Sequence, residues 1–265
     1  MLFRFVIIIS IFLHISSGYA KDVVTIGTFP YPPYHSEKGG FLNDLYIAIF
    51  KAVDYEVEFK YLPIRRSESN FLKGDIDFFS SHVLVDNKNL KLVERLNIFK
   101  FRSSFFYLKT KGNFEDLKSL SGFICGVIHN TPYEKLYKKN GIQLNYLKDP
   151  QTLLKMVLLN RVSAFEATFL TGINYIRQNE MVEKFDYFTF DVLPSGPAIL
   201  KTSKKRKKIA QLVTKGYELI TKNGELVKIL EKYWGVNNIP KAILPNDLKH
   251  LGKEEPLLKA IPLSI

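Results

Sequence analysis

The chain has a single cysteine, Cys125, among 265 residues. One thiol excludes an intramolecular disulfide and every zinc or iron–sulfur site built on several thiolates. Histidine is scarce too: the five, at positions 14, 35, 82, 129 and 250, have no metal-ligand spacing. No G-x-S-x-G, H-E-x-x-H, Walker or G-x-G-x-x-G pattern occurs, so the common signatures of hydrolytic, metallopeptidase and nucleotide chemistry are missing. Acidic residues are the minority charge, 26 against 38 basic, for a net +12. That excess bears on solubility and encounter with anionic partners, not on fold. No internal repeat is present.

What remains is the composition of a folded protein: 46% hydrophobic, 14% aromatic and 24% charged residues. This rules out a disordered tail, a collagen-like fibre or a low-complexity linker. Residues 1–20 read as a cleaved secretory signal. Arg4 supplies the positive start, Phe5 to Leu13 is apolar apart from Ser10, and Gly18-Tyr19-Ala20 ends in small residues. The apolar run is far shorter than the roughly 20 residues that cross a bilayer, and no cysteine follows it for lipid attachment, so no stable membrane anchor is expected. Export argues against nucleic acid as the partner of the basic charge.

Beyond Lys21 the apolar period alternates between two and 3.6. Val23 to Gly27 reads as a buried strand. Leu45, Ala48, Ile49, Ala52 and Val53 form one stripe of a helix, Glu56 to Leu62 alternates as a strand, Ser67 to Leu72 is a short helix, and Ile76 to Phe79 is a strand. Such a βαβαβ unit places ligand sites at the strands' C-terminal ends. A second unit follows, with strands at Ser104 to Thr110, Phe123 to Ile128 and Val162 to Thr168, and helices at Leu153 to Leu159 and Thr171 to Gln178. Thr131-Pro132-Tyr133-Glu134 carries three helix-start signals, a Thr N-cap, Pro at the first position and Glu completing a capping box. Its free N–H groups would suit a carboxylate or phosphate. Strand Ala198 to Lys201 and two helices, ending at Asn223-Gly224 and at Gly235, complete the pattern. Residues 241–265 read as a trailing extension.

The motif order resembles the bacterial extracellular solute-binding proteins of family 3, the two-lobed receptors of polar amino acid ABC importers. The matching pieces are Tyr31-Pro32-Pro33-Tyr34, Gly40-Phe41 with Asp44-Leu45, and Leu72 to Asp77. They continue with Leu117 to Gly122 before Gly126-Val127, then Asn160-Arg161-Val162, Asn223 to Leu226 and Lys232 to Gly235. The resemblance covers about residues 22–237. It implies an α/β fold of the type II periplasmic binding class, each lobe a mostly parallel sheet flanked by helices. Lobe 1 would comprise residues 21–101 plus 197–240 and lobe 2 residues 102–196. The hinge crossings would fall near Lys100 to Ser104 and Val192 to Gly196.

The resemblance further implies a monomeric periplasmic receptor without cofactor, metal or catalytic residues. It would bind a small polar, amino-acid-like solute and pass it to an inner-membrane ABC permease. A ligand sensor for a membrane receptor is the first alternative; a dehydratase of the same fold, with Glu166 and His129 as acid–base pair, is the second. Candidate ligand contacts are Phe29, Tyr31 and Tyr34 in the first loop and Ser80, Ser81 and His82 after the third strand. Asn130 and Thr131 at the helix start join them, with Glu166 and Thr168 on the lobe 2 strand. Two departures stand out. The family's Thr-x-x-Arg segment, whose arginine grips an α-carboxylate, is replaced by His82 to Asn89 without arginine, leaving Arg65, Arg66, Lys88 and Arg102 as substitutes. The acid expected near Thr168 sits at Glu166, on the same strand face by the period of two. Cys125, in an apolar strand, reads as a buried hydrophobe. The run Lys204 to Lys208 opposes a helix dipole and reads as a solvated face.

Overall fold

The computed structural model describes residues 22–80, 87–129 and 131–262. The expected signal segment and the candidates Ser81, His82 and Asn130 lie outside the described residues. Among the described residues no helix is long and apolar enough to cross a membrane.

Two five-stranded mixed sheets, each flanked by helices, build the molecule. The first contains β1 (Val23–Thr28), β2 (Glu56–Tyr61), β3 (Phe78–Phe79), β4 (Val93–Arg95) and β10 (Ala198–Leu200), in the order β2-β1-β3-β10-β4. Helices α1 (Phe41–Lys51), α2 (Ile64–Lys73), α6 (Arg206–Lys222) and α7 (Glu225–Trp234) cover it. Its core takes Leu45 and Ile49 from the apolar stripe foreseen for α1, joined by Phe50, and buries them with Ile26, Phe78, Val213 and Trp234. The second sheet runs β7-β6-β8-β5-β9, from β5 (Phe99–Leu108), β6 (Ile124–Ile128), β7 (Gln143–Leu147), β8 (Ala164–Thr168) and β9 (Phe185–Ser195). Helices α3 (Glu134–Lys139), α4 (Pro150–Leu158) and α5 (Phe169–Gln178) pack on it.

In both sheets the parallel strands β1, β2, β3 and β6, β7, β8 end toward the junction between them. The chain crosses twice, and the crossing segments pair with each other. Phe99 lies opposite Ser195 and Ser103 opposite Asp191, so the hinge is an antiparallel ribbon. Its lobe 1 end is gripped by rings: Phe101 meets Tyr34 at 4.7 Å and Phe99 meets Phe41 at 6.1 Å. Edge-to-face pairs at such distances hold the ribbon against α1.

Two expectations need correction, and one strand has no local signal. The helix foreseen from Pro132 begins at Glu134 and spans six residues, and Thr131 is not its N-cap. Thr131 Oγ1 instead accepts from Tyr133 N at 3.4 Å, closing a local turn that competes with the helix start. A helix this short offers no anion site. Strand β9, eleven residues long, went unread because its ladder is to β5, far away in sequence. The basic run is not a solvated face throughout. Lys205 pairs with Asp77 at 2.7 Å, Arg206 with Glu94 at 3.2 Å and Lys208 with Asp22 at 3.2 Å, tying the start of α6 to the first sheet.

Residues 236–262 fold back as a strap of short 3-10 turns. Ile239, Ile243, Leu244 and Ile261 are buried against the core. Asn238 holds the strap to itself, its Nδ2 donating to Trp234 O and its Oδ1 accepting from Leu257 N at 2.7 Å. The strap also reaches the second lobe, where Arg177 of α5 donates to Leu258 O and Lys259 O.

Candidate functional site

The loop after β1 carries the lobe 1 side of the cleft. Its turn is closed by Tyr31 N donating to His35 O at 2.8 Å. It packs so closely on the start of α1 that a Cβ at Gly40 would lie 2.5 Å from Tyr34 O, which only glycine avoids. Tyr31 and Tyr34 stack at 5.6 Å with Phe29 at 5.9 Å from Tyr31. Tyr34 is buried between Tyr31 and Phe101, so it supports the ring above it instead of presenting its own face. Phe29 packs on the cluster of Phe71 and Phe79.

Beneath this loop His35 is buried, with Nδ1 3.2 Å from Asn43 Oδ1 and Nε2 2.7 Å from Ser80 Oγ. Ser80 Oγ also lies 3.2 Å from the Tyr46 hydroxyl, and Asn43 donates to Tyr61. Burial pushes the imidazole down to about 3 and keeps it neutral. Ser80 was expected to face ligand; its hydroxyl is occupied by this network. His35 was missed because its partners come from other elements and no local motif marks it.

The lobe 2 side is one face of the second sheet. Thr168, Glu166 and Ala164 of β8 lie opposite Ser103, Phe105 and Tyr107 of β5. At the rim, hydroxyls join the lobes. Tyr31 and Thr168 are 2.9 Å apart, Thr168 Oγ1 donates to Thr171 Oγ1 at 3.0 Å, and Thr171 donates to Pro32 O at 3.3 Å. Two residues inward, Glu166 is 9% exposed, and no hydrogen bond from a described residue reaches its carboxylate. Burial alone pushes that carboxyl up to about 7. Phenols surround it. Burial raises Tyr31, Tyr133 and Tyr137 most, and the charge of Glu166 adds to each. Tyr133 bonds Ser103 at 3.0 Å, whereas the Tyr137 hydroxyl, beside Thr131, has no hydrogen-bond partner of proper geometry.

The arginines fall elsewhere. Arg102 is 3% exposed and turns to the face opposite Ser103. Its Nη2 donates to Thr189 at 2.7 Å and to Glu255 of the strap at 2.5 Å, and the guanidinium lies 5.2 Å over Phe169. Arg65 and Arg66 stand exposed in the first turn of α2, where β2 ends. His129 is exposed and stacks on Tyr146 at 5.5 Å; no hydrogen bond joins it to Glu166, so the expected acid–base pair is not assembled. Cys125 is buried and its thiol pushed up to about 12, which makes it inert. Among the described residues no group of His, Cys, Asp and Glu could hold a metal ion.

Two mixed α/β lobes on a double-stranded hinge, with a polar cleft at the strand ends, define a type II periplasmic binding fold. The profile of the bacterial extracellular solute-binding proteins, family 3, matches residues 23–236, and the chain belongs to that family. Solved structures agree on the fold. An ancestral arginine-binding protein bound to arginine superposes with a TM-score of 0.64 at 24% identity, over 80% of this chain and 98% of that one. The L-cystine solute receptor of Neisseria gonorrhoeae in its unliganded open conformation gives 0.62 at 17%, over 80% and 92%. The ancestral amino-acid-binding protein AncCDT-1, a precursor of cyclohexadienyl dehydratase, gives 0.63 at 18%, over 79% and 94%. A search of curated protein sequences returns no significant match.

Proposed function

We propose that this chain is a periplasmic solute receptor, exported by residues 1–20. It captures a small polar, amino-acid-like molecule between its lobes and delivers it to an inner-membrane ABC importer. The observation that carries the reading is the hydroxyl chain Tyr31–Thr168–Thr171–Pro32, which bridges the lobes two residues along β8 from Glu166, a buried carboxylate that receives no hydrogen bond from the described residues. A ligand reaching Glu166 must enter while the lobes are parted and is then shut away from water, where each polar contact counts for more. Neighbours of the same fold that bind amino acids support the solute class. The test is a thermal-shift screen of amino acids, amines and carboxylates. A ligand at 100 times its dissociation constant adds about 2.7 kcal/mol to stability, and a screen in which nothing moves the midpoint overturns the reading.

One observation favours a second reading. A buried carboxyl near 7 is poised as a proton donor to a leaving hydroxyl, and one structural neighbour is described as a precursor of a dehydratase. Turnover of prephenate or arogenate by the purified protein, lost in Glu166→Gln, would establish it.

A further inference from the structure

The inner end of the cleft is rich in negative and hydrogen-bonding groups. Glu166 projects from the middle of β8 and is nine-tenths buried, with no hydrogen-bond donor supplied to it by the described residues. Tyr137, fully buried at the end of the same face, keeps a hydroxyl with no partner of proper geometry. Asp191, opposite Ser103 on the hinge ribbon, brings a second carboxylate against Tyr133. A buried carboxylate is costly to retain without a partner, and the described residues give Glu166 none, which leaves it open to a partner that arrives from outside. The described residues provide no cation to this end. Arg102, the one guanidinium on β5, lies on the other face and is already matched by Glu255.

We propose that Glu166, with Asp191, Tyr133 and Tyr137 near it, receives an organic ammonium or guanidinium group as the lobes close, and that the solute is an amine lacking an α-carboxylate. This rests on the receptor reading above and narrows its substrate class. Ammonium N–H groups supply the donors that Glu166 lacks, and the rings of Tyr133 and Tyr137 line the site with π-surface suited to a cation. A carboxylate carried to the same end would face two acids with no arginine fork to meet it.

Pairs of solutes that differ only by that carboxylate test the idea. We would titrate the mature protein by calorimetry at pH 8 with agmatine against arginine, putrescine against ornithine, cadaverine against lysine, and tyramine against tyrosine. The expected result is that at least one amine binds ten-fold or more tightly than its amino acid. An amino acid that binds as well as or better than its amine overturns the inference while leaving the receptor reading intact. Silence from all eight overturns the inference as well, and silence from the wider thermal-shift screen is what removes the receptor reading. Glu166→Gln keeps the side chain's shape and should weaken the amine at least 30-fold, whereas an unchanged affinity in this variant refutes the assignment of the cation to Glu166. Asp191→Asn, on the hinge ribbon against Tyr133, should weaken it several-fold.

Discussion

Two polar side chains near the cleft, Ser80 and Glu166, have opposite environments. Ser80 follows the central strand of the first sheet and is saturated by His35 and Tyr46, which are themselves buried. Glu166 sits in the central strand of the second sheet, also buried, with nothing paired to it among the described residues. A completed network of neutral groups in a low dielectric rigidifies its surroundings, and here it fixes the loop that presents Tyr31. An uncompleted one, centred on a charge, destabilises the free protein and stores recognition for a ligand. Lobe 1 is thus the formed jaw, and lobe 2 holds the chemistry left open.

The difference has a pH signature of opposite sign in the two places, and the larger effect belongs to His35. Its folded value, about 3, lies below the ordinary 6.5. The unfolded chain therefore takes up the proton first, and stability falls as pH drops from about 6.5 toward 3. At about 1.4 kcal/mol per unit this amounts to roughly 4 to 5 kcal/mol across the window. Glu166 acts the other way. Its folded value, about 7, lies above the ordinary 4.5, so the folded state holds the proton and stability falls as pH rises from about 4.5 to 7, by about 3 kcal/mol. The groups around it, Tyr31, Tyr133, Tyr137, Asp191 and Cys125, belong to the loop after β1, to the turn and helix at α3, and to β9 and β6. Urea titrations at half-unit steps should show a wild-type curve that is nearly flat between pH 4.5 and 6.5. His35→Gln should uncover the falling slope of Glu166. Glu166→Gln should uncover the rising slope of His35 and be more stable than wild type at pH 8 by about 3 kcal/mol, in the variant expected to have lost its ligand. Parallel curves for all three proteins would end the comparison.

Much of the architecture was legible because it is local. The stripe Leu45, Ala48, Ile49 and the alternation of Val57, Phe59 and Tyr61 each report a face of one element, and both elements form there, although α1 ends at Lys51, short of the stripe's Ala52 and Val53. Glu166 was singled out by the resemblance, and the period of two only puts it on the same strand face as Thr168. The misses are nonlocal. Arg102 drew suspicion as a carboxylate grip because its partner, Glu255, lies 153 residues further on, in a segment that read only as an extension. His35 gave no signal because Asn43 and Ser80 reach it from a helix and a strand end. Strand β9 is held by a ladder to β5 that no local pattern announces. Thr131 failed for the reverse reason: its cap, proline and glutamate are all local signals, and a tighter local turn at Tyr133 overrode them.

Smaller effects sharpen the contrast between the closed rim and the strap on the other face. Glu255→Ala strips the charged partner from a guanidinium that is only 3% exposed, and should lower stability by about 1 to 3 kcal/mol. Ligand affinity should stay within two-fold, because the ion pair lies on the face of β5 away from Glu166; a ten-fold loss would place Arg102 in the binding site after all. The rim should behave conversely. Thr168→Val keeps the shape of the side chain but breaks the hydroxyl chain from Tyr31 to Pro32 at its middle. Stability, which rests on the two lobe cores, should hardly change. What shifts is the balance between parted and joined lobes, since the links removed exist only when the lobes meet. A loss of about 1 kcal/mol from the joined state weakens any ligand that binds it by about five-fold where the parted form predominates. Calorimetry reads that loss, and small-angle scattering of the free protein should report a larger radius of gyration than wild type. Tyr31→Phe removes the same link from the opposite lobe. Its effect should therefore not add to that of Thr168→Val, and two fully additive losses would mean that the hydroxyls act separately and that no shared latch closes the cleft.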